Sequence, residues 1–298
     1  MTPLYMLAFD HRSSFSRDLL GIDGTPTPFE ARRVADVKAV VYEGFRLALA
    51  DGVPHESAGL LVDEQYGAKI ARRARGEGVV LAMPVERSGR AEFEFEFGDD
   101  YSAHVEAFDP TYAKVLVRYN PEGDAELNRR QAQRLRELSS WLRRRHHKLL
   151  FELLVPAEPA QLERVGGSGE RYDLELRPGL VVDAVRELQD YGVEPHVWKI
   201  EGLDRREDCE RVAEQARSAG RDDVECIVLG RGADEARVVH WIEQAAPVPA
   251  FVGFAVGRTL WWNELVAYVA DEITRDEAAA RIAANYHRMV EVWRRCTQ

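Results

Sequence analysis

The sequence predicts a single-domain (β/α)8 barrel over residues 1–298. Three observations carry this expectation. Eight short apolar runs of strand length alternate with longer amphipathic segments, seven of the eight being followed by one, the pattern of strands joined by crossover helices. Several runs, such as 149–155, are apolar at nearly every position, as strands covered on both faces require. No Gly-x-Gly-x-x-Gly follows the first run, which leaves the doubly wound open sheet as second choice. A length of 298 residues suits one barrel, a fold that typically takes about 250 residues.

In chain order, strands are expected at 4–9, 59–62, 79–83, 112–117, 149–155, 196–200, 225–229 and 251–256. Helical periodicity occupies 31–50, 67–75, 125–145, 180–191, 206–219, 234–244 and 260–270, with a closing helix at 274–293. Two stretches break the rhythm. In 88–99, Phe93, Phe95 and Phe97 alternate with Glu92, Glu94 and Glu96, and period two reads as an extra strand or hairpin over the barrel. After the fifth strand, Gly166, Gly167, Ser168 and Gly169 sit in a long loop, either a lid over the mouth or a surface excursion.

The 40 Lys and Arg residues face 51 Asp and Glu, a net charge of -11. This balance argues against nucleic acid as a partner, which needs clustered cations. The local cluster Arg143, Arg144, Arg145 and Lys148 reads as a solvated helix end. Three scattered cysteines, Cys209, Cys226 and Cys296, point to reduced thiols and a cytoplasmic setting. Asp10, His11 and Arg12 interrupt the N-terminal apolar run too early for a secretory signal. No run approaches the roughly 20 apolar residues of a membrane span.

Ionisable side chains inside covered strands are costly unless they are paired or functional. Asp10 ends the first strand, Lys114 lies in the fourth, Glu152 in the fifth and Lys199 in the sixth. Alternation puts Lys114 on the face of Leu116 and Arg118, and Lys199 on the face of Val197 and Glu201. In a barrel those faces point inward, and the C-terminal ends of the strands carry function. Any one of the four reads equally as a structural ion pair; together on four strands they read as a site. Two lysines beside a carboxylate suit imine chemistry. A neutral lysine attacks a ketone, and a glutamate moves protons during dehydration and carbon–carbon cleavage. A second ammonium about 5 Å away would oppose protonation of the nucleophile by roughly 3 kcal/mol at an effective dielectric near 20. On this reading Lys199 is the nucleophile, Glu152 the shuttle and Lys114 the crowding cation.

The seventh strand ends in Gly230-Arg231-Gly232 and the eighth in Gly257-Arg258. Loops after these two strands commonly seat phosphate, and guanidinium groups clamp it bidentately. Arg12 and Arg118 are further candidates for an anionic group across the mouth. His11 reads as a hydrogen-bonding group for substrate hydroxyls or carbonyl. The adjacent His146 and His147 lack metal-ligand spacing, so no metal or cofactor is expected. Trp261, Trp262 and Trp293 read as core packing or a subunit contact, which leaves self-association through the outer helices open.

Five segments also carry a family resemblance: Ala8-Phe9-Asp10-His11-Arg12-Ser13-Ser14-Phe15, Val62-Asp63-Glu64-Gln65-Tyr66-Gly67, Lys114-Val115-Leu116-Val117-Arg118-Tyr119-Asn120-Pro121, Trp198-Lys199-Ile200-Glu201-Gly202 and Gly253-Phe254-Ala255-Val256-Gly257-Arg258-Thr259. The chain resembles, over residues 4–293, the aldolase-like domain fused behind 5-dehydro-2-deoxygluconokinase in bacterial inositol degradation. That family is similar to class I tagatose 1,6-bisphosphate and sulfofructose-phosphate aldolases. The resemblance implies that Lys199 is the Schiff-base lysine, Glu152 the proton-transferring glutamate, Lys114 the second active-site lysine and Asp10 the first-strand carboxylate. It also implies that Gly257 and Arg258 lie on the phosphate side of a phosphorylated keto-sugar. The tagatose enzymes carry Asp-Gln-Arg-Gly-Ser where this chain has Asp10-His11-Arg12-Ser13-Ser14.

Overall fold

The computed structural model describes residues 2–297. Eight parallel strands close into a barrel in sequence order, so the expected fold class is the observed one. They are β1 (Leu4–Ala8), β2 (Ala58–Leu61), β3 (Val80–Pro84), β4 (Tyr112–Arg118), β5 (Lys148–Leu154), β6 (Val197–Glu201), β7 (Glu225–Leu229) and β8 (Phe251–Val256). Each expected strand is present with its ends shifted by at most one residue. The helices are α1 (Pro28–Ala50), α2 (Glu64–Gly76), α3 (Tyr101–Phe108), α4 (Ala125–Arg144), α5 (Pro159–Arg164), α6 (Gly169–Arg171), α7 (Arg177–Asp190), α8 (Arg206–Ala216), α9 (Glu235–Ala245), α10 (Arg258–Val269) and α11 (Arg275–Cys296).

Alternation along the strands sorts the core into two parts. Leu4, Met6, Ala8, Leu61, Ala82, Tyr112, Leu150, Val197, Ile227 and Ala255 pack together inside the barrel. Their strand neighbours, such as Leu7, Val115, Phe151 and Trp198, face the surrounding helices. Val252 and Ala255 both point inward although three residues apart, because the β7–β8 register slips at Cys226/Ile227, as a bulge permits.

The closing helix α11 begins with a capping box, in which Thr274 accepts from the Glu277 N–H and Glu277 accepts from the Thr274 N–H. It is pinned to the barrel by the Tyr286 hydroxyl, which donates to the Tyr5 carbonyl at 2.7 Å. Among the described residues, no helix is long and apolar enough to cross a membrane.

Residues 88–99 hold no strand; of the two expected forms only a rudimentary hairpin is present, in which Glu86 bridges Phe95 antiparallel, the Arg87 N–H donates to the Glu94 carbonyl at 2.8 Å and the Glu96 N–H to the Val85 carbonyl at 3.0 Å. Their alternation serves packing between helices instead. Phe95 stacks on Tyr101 of α3, Phe97 on His104, and Glu92 pairs with Arg130 and Arg134 of α4. Helix α3 itself escaped the periodicity reading, since eight residues complete barely two turns. The glycine loop after β5 is folded: Ser168 caps α6 by accepting from the Arg171 N–H, and the Tyr172 hydroxyl donates to the Val155 carbonyl at 2.9 Å.

Candidate active site

The interior apolar plug gives way, one inward position further along several strands, to charge. Asp10 lies two residues after Ala8, Lys114 after Tyr112, Glu152 after Leu150 and Lys199 after Val197. Period two therefore lifts all four into one layer above the plug, at the C-terminal mouth. Glu152 and Lys199 are register partners on β5 and β6. These residues line a cavity of about 400 Å3 together with Glu86, Leu116, Arg118, Leu229, Gly257 and Arg258.

Inside it the charges form a chain. Lys199 Nζ lies 3.0 Å from Glu152 Oε1, and Lys114 Nζ lies 2.9 Å from Glu152 Oε2. Lys114 also contacts Asp10 Oδ2 at 2.9 Å and Glu86 Oε1 at 2.7 Å. The structure thus brings both lysines onto one carboxylate, so the cation expected to crowd Lys199 acts across Glu152 rather than in direct contact with it. Glu152 stands between them with one lysine on each oxygen, and three carboxylates surround the Lys114 cation. Sequence reasoning placed the two lysines in one site but did not single out the third carboxylate, Glu86.

The protonation pattern follows from burial against charge. Burial pushes the Lys114 ammonium down, but Asp10, Glu152 and Glu86 together hold its pKa well above the usual lysine value. Burial raises the Glu152 carboxyl, and Lys114 with Lys199 outweighs it, so its pKa is lowered. Asp10 is likewise held well below the usual range, since Lys114, His11 and Lys199 outweigh its burial. For Glu86 burial prevails over Lys114 and Arg12, and its pKa is raised.

His11 sits at the rim, its ring edge-on to Trp261 with centroids 5.5 Å apart. Trp261 is fully buried and donates through Nε1 to the Ala8 carbonyl at 3.0 Å. Its packing role is thus placed directly beneath the site. Burial drives the His11 pKa down to about 4 from 6.5, with Asp10 opposing. A folded pKa below the unfolded one means stability present above pH 6.5 and lost as pH falls through 4. We expect His11→Gln to flatten the acid side of the stability curve over that window, by at most about 1.4 kcal/mol per pH unit. Urea unfolding at pH 7, 6 and 5 checks this; parallel curves for the two proteins would refute it.

The arginines divide into committed and free. Arg12 is buried, holding Glu96 at 2.8 Å and donating to the Glu86 carbonyl at 2.7 Å. It ties the 88–99 loop to β1, which corrects its reading as an anion clamp. Arg231, in a left-handed conformation with φ 56°, is bound by Asp173 at 2.8 Å and Glu201 at 3.0 Å, so its expected phosphate role is also displaced. Arg118 and Arg258 have no carboxylate partner among the described residues; Arg118 donates only to the Arg90 carbonyl, at 2.9 Å. They end β4 and open α10 after β8, opposite one another across an eight-stranded barrel. Gly257 is required by close approach, because a Cβ there would strike the Ala8 carbonyl. Gly232 has φ 72°, and a Cβ there would lie 2.5 Å from Arg258 Nη2. Gly230, beside Arg231, also lines the cavity.

A second buried pair underlies the site. Lys38 of α1, fully buried, donates to the carbonyls of Phe9 (2.8 Å) and His11 (2.7 Å) and to the Asp63 carboxylate. Asp63 also caps α2 by accepting from the Tyr66 N–H. This pair fixes the chain on both sides of Asp10. A compositional signal for it existed: the chain has only five lysines among 40 basic residues, and Lys38, Lys114 and Lys199 are all buried.

The fold and this buried cluster define a (β/α)8 barrel with a lysine–carboxylate site at its C-terminal mouth. The chain belongs to the DUF2090 family, described as an uncharacterized protein conserved in bacteria, whose model matches residues 1–297. No curated protein matches the chain in sequence. Among solved structures it is similar to fructose-bisphosphate aldolase from Plasmodium falciparum (TM-score 0.67, 10% identity, covering 98% of this chain and 91% of that one). It is also similar to a Schiff-base-forming fructose-1,6-bisphosphate aldolase (TM-score 0.58, 12% identity, 97% and 93%). A third is an archaeal fructose-1,6-bisphosphate aldolase whose catalytic Lys is covalently bound to the carbinolamine intermediate of its substrate (TM-score 0.57, 15% identity, 96% and 94%). At these identities the likeness is one of fold.

Proposed function

We propose that this protein is a class I aldolase that cleaves a phosphorylated keto-sugar or keto-sugar acid reversibly through a Schiff base on Lys199. The observation that carries the reading is the buried Lys199 amine, 3.0 Å from Glu152 Oε1 at the cavity floor. Glu152 takes a proton from Lys199 and lends it to the carbinolamine hydroxyl, which leaves as water. The iminium then draws the electron pair of the adjacent carbon–carbon bond, giving an enamine and an aldehyde. Protonation of the enamine carbon and hydrolysis of the imine release the ketone half. Lys114 holds Asp10 ionised and favours the return of Glu152 to the carboxylate between its proton transfers.

Two guanidinium groups without carboxylate partners among the described residues, at the ends of opposite strands and both lining the cavity, favour a substrate charged at both ends. Arg258, beside the first turn of α10, suits the phosphate, and Arg118 the opposite end. The resemblance to the domain of inositol degradation supplies the best candidate, 2-deoxy-5-keto-gluconate 6-phosphate, which yields dihydroxyacetone phosphate and malonate semialdehyde. A ketohexose bisphosphate or sulfosugar phosphate meets the same two-ended charge pattern, and turnover of a panel of such compounds decides between them. Incubation with dihydroxyacetone phosphate and borohydride is expected to leave a reduced-imine mass on the Lys199 peptide. No adduct, or one on another lysine, would reject the reading.

A further inference from the structure

We propose that Glu86 is an additional catalytic residue, the base that takes the proton of the substrate hydroxyl beside the breaking carbon–carbon bond and the acid that returns it in condensation. This rests on the Schiff-base reading above. Glu86 is 7% exposed and lines the cavity with Asp10, Lys114, Glu152 and Lys199. Its Oε1 accepts from Lys114 at 2.7 Å, while its Oε2 is buried with no hydrogen-bond partner.

Among the described residues, it is the single carboxylate oxygen so placed. A buried acceptor left unpaired is costly, and that cost is removed when a substrate hydroxyl donates to it. Glu152 is unsuited to the task, since each of its oxygens already faces a lysine. Glu86 is also held rigidly. Its carbonyl accepts from Arg12, and its backbone bridges Phe95. Burial raises its pKa, the Lys114 and Arg12 cations offsetting this only in part, which makes it a readier proton acceptor than an exposed glutamate.

The step balances. The hydroxyl proton passes to Glu86 Oε2, and the O–H electron pair becomes the second bond of the aldehyde carbonyl. The carbon–carbon pair moves into the enamine, and the iminium nitrogen receives the displaced π electrons. In condensation the proton returns from Glu86 to the new alkoxide.

Glu86→Gln in the full chain tests this by separating the two halves of the reaction. With dihydroxyacetone phosphate alone, borohydride trapping and deuterium exchange at the enamine carbon report imine and enamine formation. Condensation with malonate semialdehyde or glyceraldehyde 3-phosphate reports the proton transfer assigned to Glu86. We expect trapping and exchange to stay within about threefold of wild type while condensation falls at least about 100-fold. Condensation unchanged, or all three readouts falling together in a variant with the wild-type circular dichroism spectrum, would overturn the assignment. In the latter case Glu86 merely supports Lys114. Absence of a trapped adduct in the wild type would instead overturn the Schiff-base reading itself.

Discussion

Lys199→Met is expected to abolish the borohydride adduct and to lower turnover on the order of 10⁴-fold or more, since no other group then supplies the covalent intermediate. Methionine fills a similar volume, and Glu152 keeps its contact with Lys114 at 2.9 Å. The fold should therefore survive with a small stability loss, so that a dead enzyme is not confused with an unfolded one. Intact-mass spectrometry after reduction, with turnover of the best panel substrate, checks both parts. An adduct that persists in this variant would move the nucleophile elsewhere.

Lys114→Met should behave in the opposite way, with the larger effect on stability. Lys114 is the cation shared by Asp10, Glu86 and Glu152. Removing one partner of a buried ionic group costs about 3–5 kcal/mol, because the charges left behind have lost their compensation. In the wild type Asp10 and Glu152 have folded pKa values below their ordinary ones. Their contribution is thus present above the unfolded carboxylate range and is lost as pH falls through the folded values. Without Lys114, burial is less opposed and these pKa values rise, so folding of the variant takes up protons. The stability gap between wild type and variant is expected to be widest near pH 7.5 and to narrow towards pH 5.5. Urea unfolding at both values measures it. A gap under about 1 kcal/mol that does not change with pH would show that the cluster does not depend on this cation.

Much of this was legible in the chain. Strand and helix periodicity needs only local alternation, so the strands fell within one residue of expectation. The four charges on strands stood out because ionised groups are costly in covered strands. Glu86 was missed for a simple reason: the third strand was ended at Met83, whereas continuing the alternation through Ala82 and Pro84 leads to Glu86. Lys38 was missed because a lysine in an amphipathic helix reads as solvated unless the scarcity of lysine in the chain is weighed. Arg12 and Arg231 were misread because a guanidinium near a mouth looks the same in sequence whether or not carboxylates already hold it.

The sequence by itself determined the barrel, the inward face of each strand and the layer in which Asp10, Lys114, Glu152 and Lys199 stand, since these follow from period two and the cost of buried charge. Only the tertiary structure decided which charges touch. That Glu152 separates the two lysines, that Lys114 has three carboxylates, and that Arg118 and Arg258 alone among the site's candidate arginines lack acidic partners are matters of barrel closure and loop path. Residues 28 to 104 positions apart meet there, and no local pattern along a chain records such encounters.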